Sequence, residues 1–277
     1  MHPALLTIIV IFGVFAILFG LYLFLVMTGS GKDARKYSRV KFAHRGLHGS
    51  GAAENSITAF RRAVDLGFGI ELDVRLSRDG ELVVFHDDDL LRVCGDERLV
   101  SDVPSEELSR LSLSGTSDGV PTFREVLSIV DGKVPLLVEI KELSGSAVST
   151  KAAEMLKDYK GEYIVESFNP LSLKNFKRHL PGVPVGILSM RFERDEKFKI
   201  RFRNFLLGAM LTNFLCRPNF IAYHNEDGGR FPVKLLGGLF GAVRFAWTVK
   251  SEEEEQLAYK RGFDSIIFEG YIPKEKI

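Results

Sequence analysis

Cysteine is nearly absent from this 277-residue chain, with two, and tryptophan occurs once. Cys94 and Cys216 have neither CxxC nor Cys/His spacing. That excludes a disulfide framework, and both are expected to be free thiols. Net charge is also lacking: 37 basic side chains against 36 acidic ones leave +1. No polyanion-binding character follows, and no nucleic-acid partner is expected. The third absence is local. Between Met1 and Gly31 there is no Asp, Glu, Lys or Arg, and positions 3–27 are almost wholly apolar. A helix of that length reaches about 37 Å, against about 30 Å for a hydrocarbon core. No polar face interrupts it, which excludes an ordinary core helix. The basic n-region and clear small-residue cleavage site of a signal peptide are missing. Residues 1–31 therefore read as a single-pass membrane anchor and linker, and residues 32–277 as the folded domain. Lys32, Arg35, Lys36, Arg39 and Lys41 follow the span, with almost nothing basic before it. The positive-inside rule then places the domain on the cytoplasmic side.

The remainder has the makings of a large core, since the chain is 45% apolar and 26% charged. After Gly29-Ser30-Gly31, short Val/Ile/Leu/Phe-rich runs alternate with helical stretches. Candidate strands are 40–45, 69–76, 82–87, 135–141, 162–168, 183–189, 219–224, 244–249 and 264–269. Their spacing argues for a parallel α/β sheet covered by helices. Only Ser77 to Glu81 separates 69–76 from 82–87, too short for a parallel crossover. Asp79-Gly80 reads as a two-residue hairpin turn. In that register partners sum to 159, so Asp73 opposes His86. Eight strands remain, the number for a (β/α)8 TIM barrel with an extra hairpin strand. Asn55 or Ser56 can cap a helix through 57–66, Thr122 to Glu125 matches a capping box, and Ser251 with Glu252 to Glu255 starts another helix.

Barrel active sites lie at the C-terminal ends of the strands. There the sequence places Ala-His-Arg-Gly at 43–46, Ile-Glu-Leu-Asp-Val at 70–74, Val-Val-Phe-His-Asp at 83–87 and Glu139-Ile140-Lys141. Glu71 and Asp73 are two apart and face one side of their strand, as do Glu139 and Lys141. Ionisable groups in apolar strands are costly unless paired or metal-bound. Glu71, Asp73 and Glu139 offer oxygen ligands to one divalent cation, Ca²⁺ or Mg²⁺. Arg45 and Lys141 add positive charge for a phosphate, and His44 and His86 can divide the proton transfers. This set suits a metal-assisted phosphodiesterase. A lone strand histidine is more often structural, but these residues converge on three consecutive barrel positions.

The stretch 42–87 together with Glu139-Ile140-Lys141 resembles the glycerophosphodiester phosphodiesterases, and the resemblance extends over roughly 40–270. These are TIM-barrel enzymes that hydrolyse glycerophosphodiesters to glycerol 3-phosphate and an alcohol. The resemblance implies Glu71, Asp73 and Glu139 as metal ligands, His44 and His86 as the acid–base pair, and Arg45 and Lys141 as phosphate contacts. It also implies attack by the neighbouring glycerol hydroxyl, giving a cyclic phosphate that water opens. Glu54-Asn55-Ser56 is similar to the family's Pro-Glu-Asn-Thr, with Ala53 for proline and Ser56 for threonine, which makes Glu54 a weaker site candidate. Glu166-Ser167-Phe168 and Ala246-Trp247-Thr248 resemble family strand ends, and Trp247 would line the pocket. One departure is Ile266-Ile267-Phe268-Glu269-Gly270, where the family usually has a Thr-Asp pair, which puts the closing side of the pocket in question.

About 29 residues separate 183–189 from 219–224, long for a βα connection. Lys197 to Arg203 alternate basic and apolar, and an apolar run from Phe205 to Leu215 follows. This can be a core helix or a lip on a membrane, with cations for anionic headgroups and aromatics beneath. With the anchor it favours membrane lipids as partners and a lipid-linked substrate such as a lysophospholipid. Two other readings stay open: a phospholipase C- or D-like phosphodiesterase on the same barrel, and a non-catalytic membrane scaffold.

Overall fold

A computed structural model describes residues 3–142, 144–192 and 197–274, apart from the side chains of Pro3 and Phe198. Among the described residues nine strands form one sheet: β1 (Lys41–Ala43), β2 (Gly69–Leu76), β3 (Leu82–Val84), β4 (Leu136–Ile140), β5 (Tyr163–Ser167), β6 (Val185–Ser189), β7 (Phe220–His224), β8 (Val243–Val249) and β9 (Ser265–Phe268). Eight run parallel in the order β1-β2-β4-β5-β6-β7-β8-β9, and β9 returns to β1, closing a TIM barrel. β3 hangs antiparallel on β2 as the extra strand. The helices are α1 (Pro3–Val26), α2 (Ile57–Leu66), α3 (Leu91–Cys94), α4 (Ser105–Leu108), α5 (Phe123–Val130), α6 (Ala147–Leu156), α7 (Pro170–His179), α8 (Phe198–Gly208), α9 (Phe231–Leu239) and α10 (Glu252–Lys260). Their starts follow local chemistry. Ser56 Oγ accepts from Ala59 N at α2, Thr122 and Glu125 form a reciprocal capping box at α5, and Ser251 caps α10 ahead of four glutamates. Cys94 and Cys216 are free.

Strand alternation divides the molecule into layers. Ile70, Leu72 and Val74 of β2 join Leu136, Val138 and Ile140 of β4 in a core beneath the helices, with Phe60, Phe123 and Val126. The other face fills the barrel: Phe42, Leu137, Ile164, Phe220, Phe245 and Ile267 pack together, and Phe220 stacks on Phe245 at 4.7 Å. Tyr37 plugs the entry end of this core, its hydroxyl donating to Tyr163 O. Above the apolar layer, toward the strand ends, the inward positions become carboxylates. A third cluster, including Val83, Phe85, Val93 and Leu113, forms under the long segment between β3 and α5.

The hairpin differs by one residue from the expected register. Val74 pairs with Val84, Arg75 with Val83 and Leu76 with Leu82, so partners sum to 158 and Phe85, not His86, opposes Asp73. The turn holds three residues, because Ser77 N donates to Glu81 O and Ser77 Oγ accepts from Glu81 N while donating to Asp79. His86 still reaches the barrel mouth. β3 ends at Val84, and Arg75 Nε and Nη2 hold the His86 carbonyl at 2.9 and 2.7 Å.

The Gly-Ser-Gly segment is a fitted strap rather than a loose linker. Gly29 N donates to Pro218 O, Asn219 Nδ2 donates to Ser30 O, and a Cβ at Gly29 would stand 2.8 Å from Arg217 O. Arg35, Lys36 and Lys41, expected to mark the membrane flank, are tied into the barrel through Gly241 O, Glu162 and Glu255. α1 is long and apolar enough to cross a membrane or act as a signal sequence, with mean hydropathy 2.9 over its most apolar window, and that window is unburied.

Candidate active site

The His44-Arg45-Gly46 turn leaves β1 with two consecutive residues in the left-handed region, Arg45 at φ 53° and Gly46 at φ 78°. This conformation aims Arg45 N at Glu71 Oε2, 2.8 Å away. A Cβ at Gly46 would lie 2.9 Å from the Phe60 ring and 3.0 Å from Ala59 Cβ. Gly46→Ala is therefore expected to destabilise the domain by about 1–3 kcal/mol, read by urea unfolding.

Register assembles the acids. Asp73 pairs with Glu139 across β2 and β4, and Glu139 with Glu166 across β4 and β5. Opposed residues on neighbouring strands share a face, so three carboxylates stand in a row, with Glu71 one layer deeper. Ligand atoms of Glu71, Asp73 and Glu139 all lie within 4.8 Å of one another, and all three groups are buried. Lys141 Nζ sits 3.1 Å from Asp73 and 2.7 Å from Glu139. Arg45 Nε is 3.6 Å from Asp73, and Asn55 Nδ2 donates to Asp73 Oδ2 at 2.8 Å. Burial raises the Asp73 pKa, but Lys141, His86 and Arg45 outweigh it and hold the carboxyl well below its usual range. Burial, then the charges of Asp73 and Glu139, pushes Glu71 far up. Burial likewise raises Glu139 to about 7 despite Lys141, and Glu166 well above the carboxylate range. Glu166 Oε2 is buried with no hydrogen-bond partner. Such crowding of acids fits a cation: a hard divalent ion takes oxygen ligands and removes the repulsion that favours protonation. The group can hold a metal.

Both histidines stand at the mouth of this group. His44, His86, Arg45, Glu71, Glu139, Lys141 and Trp247 line one cavity of about 140 Å³. His44 Nδ1 is 2.6 Å from Glu269 Oε2, which leaves Nε2 for chemistry. The residue that departs from the expected Thr-Asp pair thus holds a histidine of the cavity. The hydrogen bond from His44 keeps Glu269 down at about 2 despite partial burial. His86 Nδ1 is 2.6 Å from Asp87. Burial lowers the His86 pKa, partly offset by Asp73. Glu54 does not join the metal group. It bridges Arg45 and Arg92, and Arg92 in turn holds Asp87 behind His86. Burial raises Glu54, but Arg92 and Arg45 outweigh it and its pKa falls. Arg45 and Lys141, expected as phosphate contacts, are both engaged with acids here. Trp247 packs edge-on to Phe168 at 5.7 Å and to His224 at 5.3 Å. Sequence reasoning passed over Glu166, Asn55 and Glu269 as site residues. The signal for Glu166 lies in the strand register, and for Asn55 in its position beside the Ser56 cap.

Residues 44–270 match the model of the glycerophosphoryl diester phosphodiesterase family. A glycerophosphodiester phosphodiesterase of Caldanaerobacter subterraneus is 32% identical over 240 residues, covering 81% of this chain and 91% of the relative. A lysophospholipase D of Rattus norvegicus is 28% identical, covering 84% and 82%. The crystal structure of a glycerophosphodiester phosphodiesterase from Thermotoga maritima superposes with a TM-score of 0.65 at 28% identity, covering 83% of this chain and 94% of that one. The same fold recurs in an Oleispira antarctica phosphodiesterase in complex with sn-glycerol-3-phosphate, at a TM-score of 0.69, 24% identity and 87% and 95% coverage. With its barrel, its buried acids and its paired histidines, the chain belongs to the glycerophosphoryl diester phosphodiesterase family and is a phosphoric diester hydrolase.

Proposed function

We propose that this enzyme hydrolyses glycerophosphodiesters by acid–base catalysis between His44 and His86, with one divalent cation, Ca²⁺ or Mg²⁺, held by Glu71, Asp73 and Glu139. The observation carrying this is the convergence of both histidines, Glu71 and Glu139 on one small cavity, with Asp73 clustered against those two acids. The bound cation would neutralise phosphate charge and orient the diester. His44 takes the proton from the glycerol hydroxyl next to the phosphate, and that oxygen attacks phosphorus. As the bond from phosphorus to the leaving oxygen breaks, His86 donates a proton and the alcohol departs. His86, now neutral, takes a proton from water, which attacks the cyclic phosphate. His44 returns its proton to the glycerol oxygen, leaving glycerol 3-phosphate. Arg45 and Lys141 supply positive charge beside the phosphate.

The apolar α1, residues 1–31 with the strap, serves in this reading as a single-pass anchor, and the basic flank orients residues 32–277 toward the cytoplasm. An anchored enzyme with a basic and aromatic rim favours lipid-linked substrates such as lysophospholipids, from which the product is a monoacylglycerol 3-phosphate. The rat relative carries the name of such an activity. The test is release of glycerol 3-phosphate from glycerophosphocholine, with Ca²⁺, Mg²⁺ or a chelator. Release that needs the ion supports the reading. Folded protein that releases nothing under any condition overturns it.

Glu269 acts on the reaction through His44 as a positioning residue. Glu269→Gln keeps its size but removes the charge that orients the imidazole. It is expected to lower kcat about 10- to 100-fold with KM little changed, and Glu269→Asp to recover part of the loss. Steady-state kinetics on glycerophosphocholine check this; a rise in KM alone would assign Glu269 to substrate binding instead.

A further inference from the structure

Beside the small catalytic cavity lies a larger one of about 510 Å³, within the range of small-molecule sites. The two share Glu139, Lys141 and Phe168, so the larger groove begins at the acid group. Away from that end its walls become more apolar: Leu171 of α7, Phe192, and Leu207 and Leu215 on the far side, where Arg203 and Asn204 of α8 also line it. Nothing in the cleavage of a small polar diester uses this volume.

The far wall leads to α1. α8 sits on the exit side of the barrel, because Ser189 Oγ and Tyr223 Oη, at the ends of β6 and β7, donate to Leu207 O and Gly208 O. The chain then descends past Leu215, and here α1 is fastened. Asn213 Nδ2 donates to Val26 O, Arg217 lies over the Phe24 ring, and Phe24 and Phe214 are 6.1 Å apart. The contacts give α1 a direction. Gly29 lies beside Pro218, at the entry end of β7, whereas Tyr22 lies 6.4 Å from Phe231, the first residue of the helix that follows the exit end. α1 therefore climbs the barrel wall toward the catalytic face and leaves beyond it. On the same side Phe202, Phe205 and Phe231 are more than half exposed, and Lys199, Arg201 and Arg203 stand on α8 among them. A basic and aromatic rim of this kind suits the headgroup layer of a bilayer.

We propose that the groove from Lys141 and Phe168 to Leu207 and Leu215 binds the one hydrocarbon chain of a monoacyl glycerophosphodiester, admitted from the bilayer into which α1 directs the catalytic face. The proposal rests on the anchored, phosphodiester-cleaving reading above. That reading requires a free hydroxyl beside the phosphate, so the glycerol can carry one chain and not two. The occupant follows from continuity: the groove is polar where it meets the phosphate site, is lined beyond it by Leu171, Phe192, Leu207 and Leu215 with Arg203 and Asn204 of α8 beside them, and ends against the segment that holds α1.

The test uses the full chain in phosphatidylcholine nanodiscs. Leu171→Glu places a carboxylate in the groove at the first turn of α7, where the helix dipole tolerates it; Leu207→Glu does the same from the opposite wall. The ratio of kcat/KM for lysophosphatidylcholine to that for glycerophosphocholine is expected to fall about tenfold or more in both variants. A ratio unchanged within twofold overturns the proposal. A second readout needs no turnover. Trp247, the sole tryptophan, packs on Phe168 at the head of the groove. Lysophosphatidylcholine brominated near the carbonyl end of its chain should quench Trp247 fluorescence in the parent protein and lose that effect in Leu171→Glu. If the parent cleaves neither substrate, the enzymatic reading fails, and quenching alone decides the groove: its presence supports chain binding and its absence overturns it.

Discussion

His44→Ala is expected to lower kcat on glycerophosphocholine about 10³-fold while leaving the fold intact. General acid–base groups contribute about 10²–10⁴, and a 10³-fold loss corresponds to about 4 kcal/mol of barrier. Stability should change little, because His44 sits at the mouth of the barrel above the apolar layer and its side-chain hydrogen bond is to Glu269, itself partly exposed. His86→Ala should cost a similar factor for a separate reason: it removes the proton for the departing alcohol. In the proposed mechanism the two histidines serve one displacement, so their effects are not independent, and the double variant should lose little more than the worse single one. The measurement is kcat for the two single variants and the double. Losses that multiply to about 10⁶ would show that the histidines act in unrelated steps and would sink the shared mechanism. A loss in His44→Ala confined to KM would make His44 a binding group.

The barrel and most of its acids were legible because both obey a period of two. β2 is found at its expected bounds, since Ile-Glu-Leu-Asp-Val alternates two environments that the barrel separates, helix-facing core and interior. The eight-strand count followed from one short connection. What escaped depends on side chains acting on the backbone or across the sheet. The hairpin slipped by one residue because Ser77 Oγ bonds both Glu81 N and Asp79, and these bonds outweigh the preference of Asp-Gly for a two-residue turn. Asn55 and Ser56 both read as possible helix caps; Ser56 takes that role and Asn55 turns to Asp73. Glu166 lies beside Glu139 only once β4 and β5 are in register, and no local pattern in Val-Glu-Ser reports that pairing. Gly29 and Gly31 read as linker composition because composition cannot tell a flexible glycine from one that a neighbouring backbone requires. Glu269 looked like a break in the family's pattern; in space its carboxylate reaches His44 Nδ1 and leaves the other imidazole nitrogen to the proposed proton transfer.

Neighbouring acids in the proposed metal group are expected to respond to substitution in opposite ways. Without a divalent ion, burial and the charges of Asp73 and Glu139 favour the protonated form of Glu71. A glutamine is close in shape to that form and keeps an oxygen to accept from Arg45 N. Glu71→Gln should therefore leave the ion-free domain as stable as the parent, or more stable. Asp73 is the reverse. It is ionised and compensates Lys141 and Arg45 while accepting from Asn55. Asp73→Ala leaves buried cations with one partner fewer, a defect that costs about 3–5 kcal/mol. The ion should separate the two further. An ion that binds only the native state at 100 times its Kd adds about 2.7 kcal/mol. The parent should gain that stability in Ca²⁺ or Mg²⁺, and Glu71→Gln should gain little, because a neutral amide is a poor ligand for a hard cation. Activity should be lost in both variants. Urea unfolding in chelator and in excess ion measures all four quantities. A Glu71→Gln protein that keeps the full response to the ion would remove Glu71 from the ligand set. An Asp73→Ala protein as stable as the parent would mean that the two cations find other acids, with Glu166, whose Oε2 lacks a partner, the nearest in kind.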